Sequence, residues 1–497
     1  MIPRSGLSPN HADYERFPLI EPRGFREYDA RWLFEKEINL LGVRLLGLAL
    51  GTLLHRKGVR PHIVTGHDFR SYSSTVKEAL IVGLMASGCE VYDIGLCLTP
   101  TAYFAQFDLD VEGVAKVTAS HNDNGWTGVK MGFNRPLTFG PGEMNELKAI
   151  VANGETIYRN GGALHHVEGM AGRYIADLTA GVKLGRRLKI VAACGNGTAG
   201  AFAPQVLEAI GCDVVRLDCD LDYNFPRYNP NPEDLHMLHA MADAVTQNAA
   251  DLALGFDGDG DRCGVVDNEG HEIFADKIGV LLARDLSALS PGCKFVVDVK
   301  STGLFATDPV LKANGAITEY WKTGHSYMKR RTNELGALAG FEKSGHFFFR
   351  APHGRGYDDG LVSAIAICRM LDHARGKSLA DLYRDLPRTF GTPTMSPHCA
   401  DDRKYGVVKR VTAFFESQRA EGKCFAGEPI VEINTINGVR LTLACGSWGL
   451  VRASSNKPEL VVVCESPVSE QKMRAVFSAI DTHLSTYPEI GAYNQKI

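Results

Sequence analysis

The sequence predicts an α/β protein: three related α/β/α sandwich domains with mixed sheets, followed by a smaller C-terminal α+β domain. Three observations carry this reading. A β-rich run, a polar glycine-bearing turn, a helical stretch, a glycine and a second β-rich run occur in that order three times. The strand-like runs are short and apolar without strict alternation, as befits strands covered by helices on both faces. Beyond about residue 389 the chain changes to helical stretches with alternating, hairpin-linked runs.

The first copy is HIVTGHDFR (62–70) with SGCEVYDIG (87–95), the second KIVAACGNG (189–197) with GCDVVRLD (211–218), the third KFVVDVKSTG (294–303) with NGAITEYW (314–321). From Ile63 to Gly88 is 25 residues, and the equivalent gaps are 20 from Val191 to Gly211 and 19 from Val296 to Gly315. Each leaves room for a helix of three to four turns, so each reads as a βαβ unit. The period exceeds 100 residues, which marks related domains rather than a solenoid. The last part offers a helix over YGVVKRVTAFFESQRA (405–420), strands in VEINTI (431–436), VRLTLAC (439–445), WGLVRAS (448–454) and ELVVVCES (459–466), and a closing helix over SEQKMRAVFSAIDTH (469–483). The expected domains are 1–168, 169–272, 273–388 and 389–497.

Composition narrows the function classes. Of 497 residues, 58 are acidic and 54 basic, a formal charge of −4, so no large positive field exists to collect a nucleic-acid backbone. An anionic small substrate would need local positive charge. No run reaches the length and apolarity of a membrane span. The stretch from Met1 to Glu21 lacks the apolar core of a signal peptide and reads as a short N-terminal extension of a cytoplasmic protein. The 12 cysteines form no CxxC and no zinc spacing with histidine, which points to free thiols in a reducing compartment.

The sharpest chemical segment is LGFDGDGDRCGVVD (254–267). Asp257, Asp259 and Asp261 supply three hard oxygen ligands at i, i+2 and i+4, and the intervening glycines let the turn converge them on one cation. An EF-hand would need Gly and Glu where this chain has Arg262 and Asn268. The preceding DLALGF reads as a strand, which places the triad at a strand's C-terminal end.

In KVTASHNDNGWTGVK (116–130), Ser120 stands in a polar loop beside small Ala119, with His121 and Asn122 near enough to orient its hydroxyl. This pattern alone leaves a nucleophile and an ordinary loop serine both open. Lys130, ten residues on, suits a general acid/base or a phosphate contact. In GALAGFEKSGHFFF (336–349), Glu342, Ser344 and His346 alternate, so an extended backbone would aim them together at sugar hydroxyls; a buried core histidine is the other reading. In GLVRASSNKPEL (449–460), Arg452 offers a guanidinium fork for phosphate, with Ser454, Ser455 and Asn456 as further donors. GNGTAG (195–200) matches the dinucleotide fingerprint, yet it sits in the second of three similar domains without a redox residue set, and reads as a tight turn.

Taken in order, FREYDAR (25–31), TASHN (118–122), DGDGDR (257–262), EKSGH (342–346) and RASSN (452–456) resemble the N-terminal signature, phosphoserine loop, metal loop, sugar loop and phosphate loop of the bacterial phosphomannomutase/phosphoglucomutase group of phosphohexomutases. The resemblance runs from about Phe25 to Ser466. It implies a fourth domain resembling the TATA-binding-protein fold, a phosphorylated Ser120, and Mg2+ held by Asp257, Asp259, Asp261 and a phosphoryl oxygen on Ser120. It implies Arg262 beside the reacting phosphoryl, Arg31, Lys130 and His121 in the catalytic centre, and Tyr28 at the substrate. DVKST (298–302) and WKTGH (321–325) resemble two further substrate loops and bring in Lys300, Gly324 and His325.

The implied reaction is reversible phosphoryl transfer between the 1- and 6-positions of a hexose phosphate, of mannose or glucose. It passes through phosphoserine and a hexose 1,6-bisphosphate, with glucose or mannose 1,6-bisphosphate as activator. The implied partners are small hexose phosphates, with no nucleic acid and no membrane, and the expected state is a monomer or weak homodimer with a mobile last domain. Trp32 follows FREYDAR where the family commonly has Gly, the serine loop continues DNGWTG rather than with a pair of prolines, and RASSN replaces R-x-S-N-T. These departures bear on ligand detail and sugar preference. Phosphoglucosamine mutase, a sugar-phosphate phosphatase and a non-enzymatic carbohydrate-binding protein are the alternatives.

Overall fold

The computed structural model describes residues 16–495. Residues 1–15 of the expected N-terminal extension lie outside that range. The chain divides into two compact units. One runs up to Ile278 and takes back Ser344–Ala380; the other is Gly279–Lys343 with the chain from Asp381 onward.

The first unit holds two sheets. The six-stranded one contains β1 (Ala30–Leu33), β2 (His62–His67), β3 (Glu90–Leu96), β4 (Gly113–Val117), β5 (Trp126–Gly132) and β6 (Ala163–His166), in the order β1-β5-β4-β2-β3-β6. Strands β2, β3, β4 and β6 run parallel, while β5 is antiparallel to β4 and β1, so the sheet is mixed. Helices Leu40–Arg56 and Ser73–Ala86 bury Leu46, Leu50, Leu53, Leu80 and Leu84 in one core with Ile63 and Val91.

The five-stranded sheet contains β7 (Lys189–Ala193), β8 (Asp213–Leu217), β9 (Leu252–Phe256), β10 (Cys263–Asp267) and β11 (Glu272–Ile273), in the order β11-β10-β9-β7-β8. It too is mixed, with β7 parallel to β8 and β9 and antiparallel pairing beyond β9.

In the second unit β12 (Lys294–Asp298) pairs in parallel with β13 (Ile317–Trp321) on one side and with β14 (Ala339–Phe341) on the other. The chain then returns to the first unit with β15 (Phe347–Phe349) and the helix Gly360–His373. The C-terminal sheet contains β16 (Phe390–Gly391), β17 (Cys424–Phe425), β18 (Glu428–Asn434), β19 (Val439–Leu443), β20 (Trp448–Ala453) and β21 (Leu460–Ser466). Its order is β16-β21-β20-β19-β18-β17, antiparallel throughout, and helices Lys404–Ala420 and Glu470–Leu484 pack on it.

All three βαβ repeats are present as parallel pairs, but only the first carries a long helix, of 14 residues. The second has a short turn, Thr198–Ala201, and a 7-residue helix; the third breaks into Leu304–Thr307 and Pro309–Ala313. Pro309 lacks the N–H to continue a helix, and Asp308 starts a new one by accepting from the N–H groups of Val310 and Leu311.

Within the second unit, Arg440 joins the C-terminal sheet to the loop after β12. Its guanidinium lies 4.4 Å from the Tyr320 ring and 3.7 Å from the Trp448 ring, and donates to the carbonyls of Val299 and Ser301. Glu465 adds to this seam by accepting from Thr302 Oγ1, Gly303 N and Trp448 Nε1. The last sheet is thus fastened to β12 inside one compact unit. All 12 cysteines are free. Among the described residues, no helix is long and apolar enough to cross a membrane.

Candidate functional site

Ser120 sits just beyond β4 in the left-handed region, at φ 51°, and is buried. A non-glycine residue there costs backbone energy and persists where neighbours hold it. The hold is visible. Ser120 N–H donates to Thr118 Oγ1, whose hydroxyl donates to Asp68 Oδ2 at 2.8 Å. Arg70 donates to the carbonyls of Ser120 and Asp123 at 3.0 and 2.9 Å. Arg31, on β1, donates from Nη1 to Asn122 Oδ1 and Ala119 O, while its Nε binds Asp29. The serine loop is therefore a rigid platform. Its hydroxyl donates to Asp257 Oδ2 at 2.9 Å, and His121 Nδ1 lies 3.4 Å away. Tyr28, buried, directly precedes the Asp29–Arg31 segment that closes on the loop.

Asp257, Asp259 and Asp261 occupy the turn between β9 and β10 and are wholly buried. Glycine is needed at both intervening positions. A Cβ on Gly258 would stand 2.5 Å from the Ser120 carbonyl oxygen, and Gly260 has φ +71° with Leu98 against it. Lys130 Nζ donates to Asp259 Oδ2 at 2.9 Å and also to Asp261 Oδ2. Burial works against charge on Lys130, but Asp259 and Asp261 outweigh it and hold the ammonium protonated. Burial, reinforced by Asp261 and Asp259, pushes the Asp257 carboxyl up to about 8. Asp259 goes the other way: burial opposes its charge, and Lys130 and Lys116 overcome that.

The triad fits a divalent cation. Each member brings a carboxylate oxygen within 4.8 Å of the other two, and Asp259 Oδ1 is buried without a hydrogen-bond partner. Three hard oxygen donors in one turn, with one donor site left over, suit a small ion such as Mg2+.

Arg262 completes this set. Its Nε donates to His346 Nε2 at 2.9 Å and its Nη1 to Glu233 at 3.2 Å. His346 Nδ1 faces Asp358 Oδ2 at 3.1 Å and Asp261 Oδ1 at 3.5 Å. The segment 342–346 is a turn rather than the extended run expected, with Gly345 at φ +89°. That turn separates the three alternating side chains. Ser344 and His346 belong to the first unit, where His346 serves Arg262. Glu342 belongs to the second, where its Oε1 accepts from Gly324 N at 2.5 Å.

The other predicted residues gather in the second unit. Asp298 Oδ2 accepts from Thr323 Oγ1 at 2.9 Å and has Lys300 Nζ at 4.0 Å. His325 starts the helix His325–Glu334 directly after Gly324. Thr323 N also reaches Asn437 Oδ1, which accepts from Arg452 Nε at 2.8 Å. Arg452 Nη2 donates to Ser455 Oγ, and the turn closes through Ser454, whose N–H reaches Glu459 O. Asn456 lies in the same turn.

Sequence reasoning missed several supporting residues. Asp68 and Arg70 hold the serine loop, Thr99 donates to Asp259, and Asp358 faces His346. Lys116, paired with Lys130 across β4 and β5, is a second fully buried lysine whose charge favours the ionised forms of Asp68 and Asp259. The available signal was position: Asp68 and Arg70 directly follow the first repeat's strand, where α/β domains keep their sites.

Comparison with known proteins agrees with this geometry. Four family descriptions match in sequence: "Phosphoglucomutase/phosphomannomutase, alpha/beta/alpha domain I" over residues 22–157, domain II over 172–270, domain III over 274–390, and the C-terminal domain over 400–483. A phosphomannomutase/phosphoglucomutase from Pseudomonas putida is 33% identical over 455 residues, 91% of this chain and 94% of that protein. The Pseudomonas aeruginosa counterpart is 32% identical over 94% of this chain and 98% of its own length. A phosphoglucomutase/phosphomannomutase family protein of Burkholderia thailandensis has a crystal structure that superposes with TM-score 0.84 at 28% identity, covering 94% of this chain and 98% of that one.

Proposed function

The chain belongs to the phosphoglucomutase/phosphomannomutase family, and we propose that it does the family's work through a phosphoryl carried on Ser120. It is an isomerase that moves phosphoryl reversibly between the 1- and 6-positions of a hexose phosphate. The observation that carries the serine assignment is the 2.9 Å hydrogen bond from Ser120 Oγ to Asp257, which sets the hydroxyl against the carboxylate triad in a buried, rigid loop.

Phosphorylated Ser120 gives its phosphoryl to the free hydroxyl of a hexose 1- or 6-phosphate, and the bisphosphate so formed returns its other phosphoryl to Ser120. Asp257, Asp259 and Asp261 hold Mg2+, which when bound neutralises charge on the phosphoryl oxygens. Arg262 stabilises charge gathering on the transferring group. Lys130, held as an ammonium by Asp259 and Asp261, supplies fixed positive charge at the triad, with Arg31 and His121 fixing the loop around Ser120. In the second unit Lys300, Gly324, His325 and Glu342 bind the sugar, and Arg452, Ser454, Ser455 and Asn456 hold the phosphoryl that is not reacting. Tyr28 and Ser344 complete the substrate contacts. His346 acts through Arg262. We place the enzyme in the cytoplasm, which agrees with its free thiols.

The test is a parallel assay of glucose, mannose and glucosamine 1-phosphates with a trace of glucose 1,6-bisphosphate and Mg2+. Conversion of the glucose and mannose esters to 6-phosphates is expected. Preferential turnover of the glucosamine ester, or release of free phosphate without isomer, would overturn the assignment.

A further inference from the structure

The loops that leave β7 and β8 bring two cysteines into contact. Cys194 follows β7 and is buried; Cys219 stands two residues beyond β8 and is half-buried. Their sulfurs are 3.6 Å apart. Regular strand geometry would not bring them together. Strands β7 and β8 pair in parallel with Ala193 opposite Leu217, so residues 194 and 219 would project to opposite faces if both strands simply continued. Asp218 adopts φ +50°, which breaks the alternation and turns Cys219 toward Cys194.

The two thiols are unequal. The hydrogen bond between them pushes Cys194 well above the usual thiol range, and its burial adds to this, while the same bond holds Cys219 below that range. Cys219 is the more accessible member, so a peroxide from solvent reaches it first. Cys194 is poised as the second sulfur, the arrangement that peroxide-sensitive pairs use.

The pair is also connected to the reaction site. Gly197 N–H donates to Cys194 O, closing the turn. A Cβ on Gly197 would lie 3.2 Å from Pro230 and 3.3 Å from the Gly258 backbone, and one on Gly258 would lie 2.5 Å from the Ser120 carbonyl. On the other side, a Cβ on Gly200 would lie 2.0 Å from the Cys219 carbonyl. Turn, metal loop and serine loop are thus packed backbone to backbone with no slack. A disulfide needs its sulfurs at about 2.05 Å, well inside the present separation.

We propose that Cys194 and Cys219 form a reversible intrachain disulfide on exposure to a hydroperoxide, and that closing it slows transfer at Ser120. The Cys219 thiolate attacks one peroxide oxygen, the O–O bond breaks, and the departing oxygen leaves as water or an alcohol, giving a sulfenic acid. Cys194 sulfur then attacks the Cys219 sulfur, the S–S bond forms, and the hydroxyl leaves as water with the Cys194 proton. Two thiols are oxidised by two electrons and one hydroperoxide is reduced. The slowing rests on the Ser120 reading; the disulfide does not.

The test uses the full chain treated with graded hydrogen peroxide, alkylated, digested without reduction and mapped by mass spectrometry, with activity on glucose 1-phosphate and thermal melting measured in parallel. The expected result is a Cys194–Cys219 linked peptide, a several-fold fall in kcat, and recovery of both by dithiothreitol. Cys219→Ser should abolish the link and the fall, while Cys424→Ser, at an exposed cysteine, should keep both. Oxidation that leaves Cys194 and Cys219 unlinked overturns the proposal, and the wild-type map decides this even if a variant folds poorly. Full linkage with unchanged kcat overturns the coupling. If the chain has no mutase activity, a reversible link with a shifted melting temperature still upholds the disulfide, so the two readings fail separately.

Discussion

Arg262 donates its Nε–H to Nε2 of His346 across 2.9 Å. That nitrogen must then offer a lone pair, which puts the ring proton on Nδ1, facing Asp358 at 3.1 Å and Asp261 at 3.5 Å. Burial opposes charge on the ring, and Asp261 and Asp358 outweigh it and draw the imidazole pKa upward. A second ring proton would set N–H against N–H at Arg262, so the bond itself selects the neutral ring. Asp358 is thus a positioning residue for Arg262.

Asp358→Asn supplies an amide that can donate to Nδ1, which would move the ring proton to Nε2 and deprive Arg262 of its acceptor. The expected loss is about ten- to a hundredfold in kcat with KM little changed. His346→Gln keeps an acceptor for Arg262 and should lose less. Steady-state kinetics of the two variants check this, and wild-type kcat in Asp358→Asn would sink it.

Ser120→Ala should reduce isomerisation to background while glucose 1-phosphate still binds by calorimetry. Incubation with glucose 1,6-bisphosphate should add one phosphoryl to the mass of the wild-type chain and none to the variant. Turnover in the variant would remove the serine from the mechanism.

Lys130→Met leaves Asp259 and Asp261 buried without their cation. Removing one partner of a buried pair costs about 3–5 kcal/mol, so the variant should melt earlier than wild type without divalent ions. Added Mg2+ should then raise its melting temperature more than that of wild type. Equal Mg2+ shifts in the two proteins would contradict the triad as the ion's seat.

Asp359 caps the helix Gly360–His373, accepting from Leu361 N, Val362 N and the Tyr174 hydroxyl. Burial nevertheless pushes its carboxyl from 3.8 up to about 7. The folded state therefore binds this proton more tightly than the unfolded chain. Its contribution to stability is full below about 3.8 and is lost as pH rises toward 7, a change on the order of 4 kcal/mol. Asp359→Asn keeps the cap and should flatten that part of the stability profile, measured by urea unfolding at several pH values.

Arg440→Met removes a guanidinium held between Tyr320 and Trp448 and leaves the Val299 and Ser301 carbonyls without their donor. The expected cost is about 2–4 kcal/mol. Urea unfolding of the full chain would show it, and an unchanged midpoint would mean the seam at Arg440 contributes nothing.

Local chemistry was the legible part of this sequence. Asp257, Asp259 and Asp261 lie within five residues, so their convergence needs only a tight turn. The parallel pairs followed from the repeated run–glycine–run spacing. What escaped was direction and distance. His346 is legible in its motif, but alternation implies an extended strand there, and Gly345 turns the chain so that the ring meets Arg262. Asp68 and Arg70 act on a loop some fifty residues away, and D-x-R after a strand is ordinary turn chemistry. Cys219 meets Cys194 only because Asp218 takes a left-handed backbone, which no residue preference at Asp218 demands.

Arg262 and His346 fall in different family segments, the first ending at residue 270 and the next beginning at 274. The contact is therefore built by two family segments at once. A crossover between diverged parental genes in that gap would join one parent's arginine to the other's imidazole and carboxylate. Hybrids that keep 172–270 and 344–359 from the same parent should outlive those that split them, so Arg262, His346 and Asp358 are expected to travel as one heritable block.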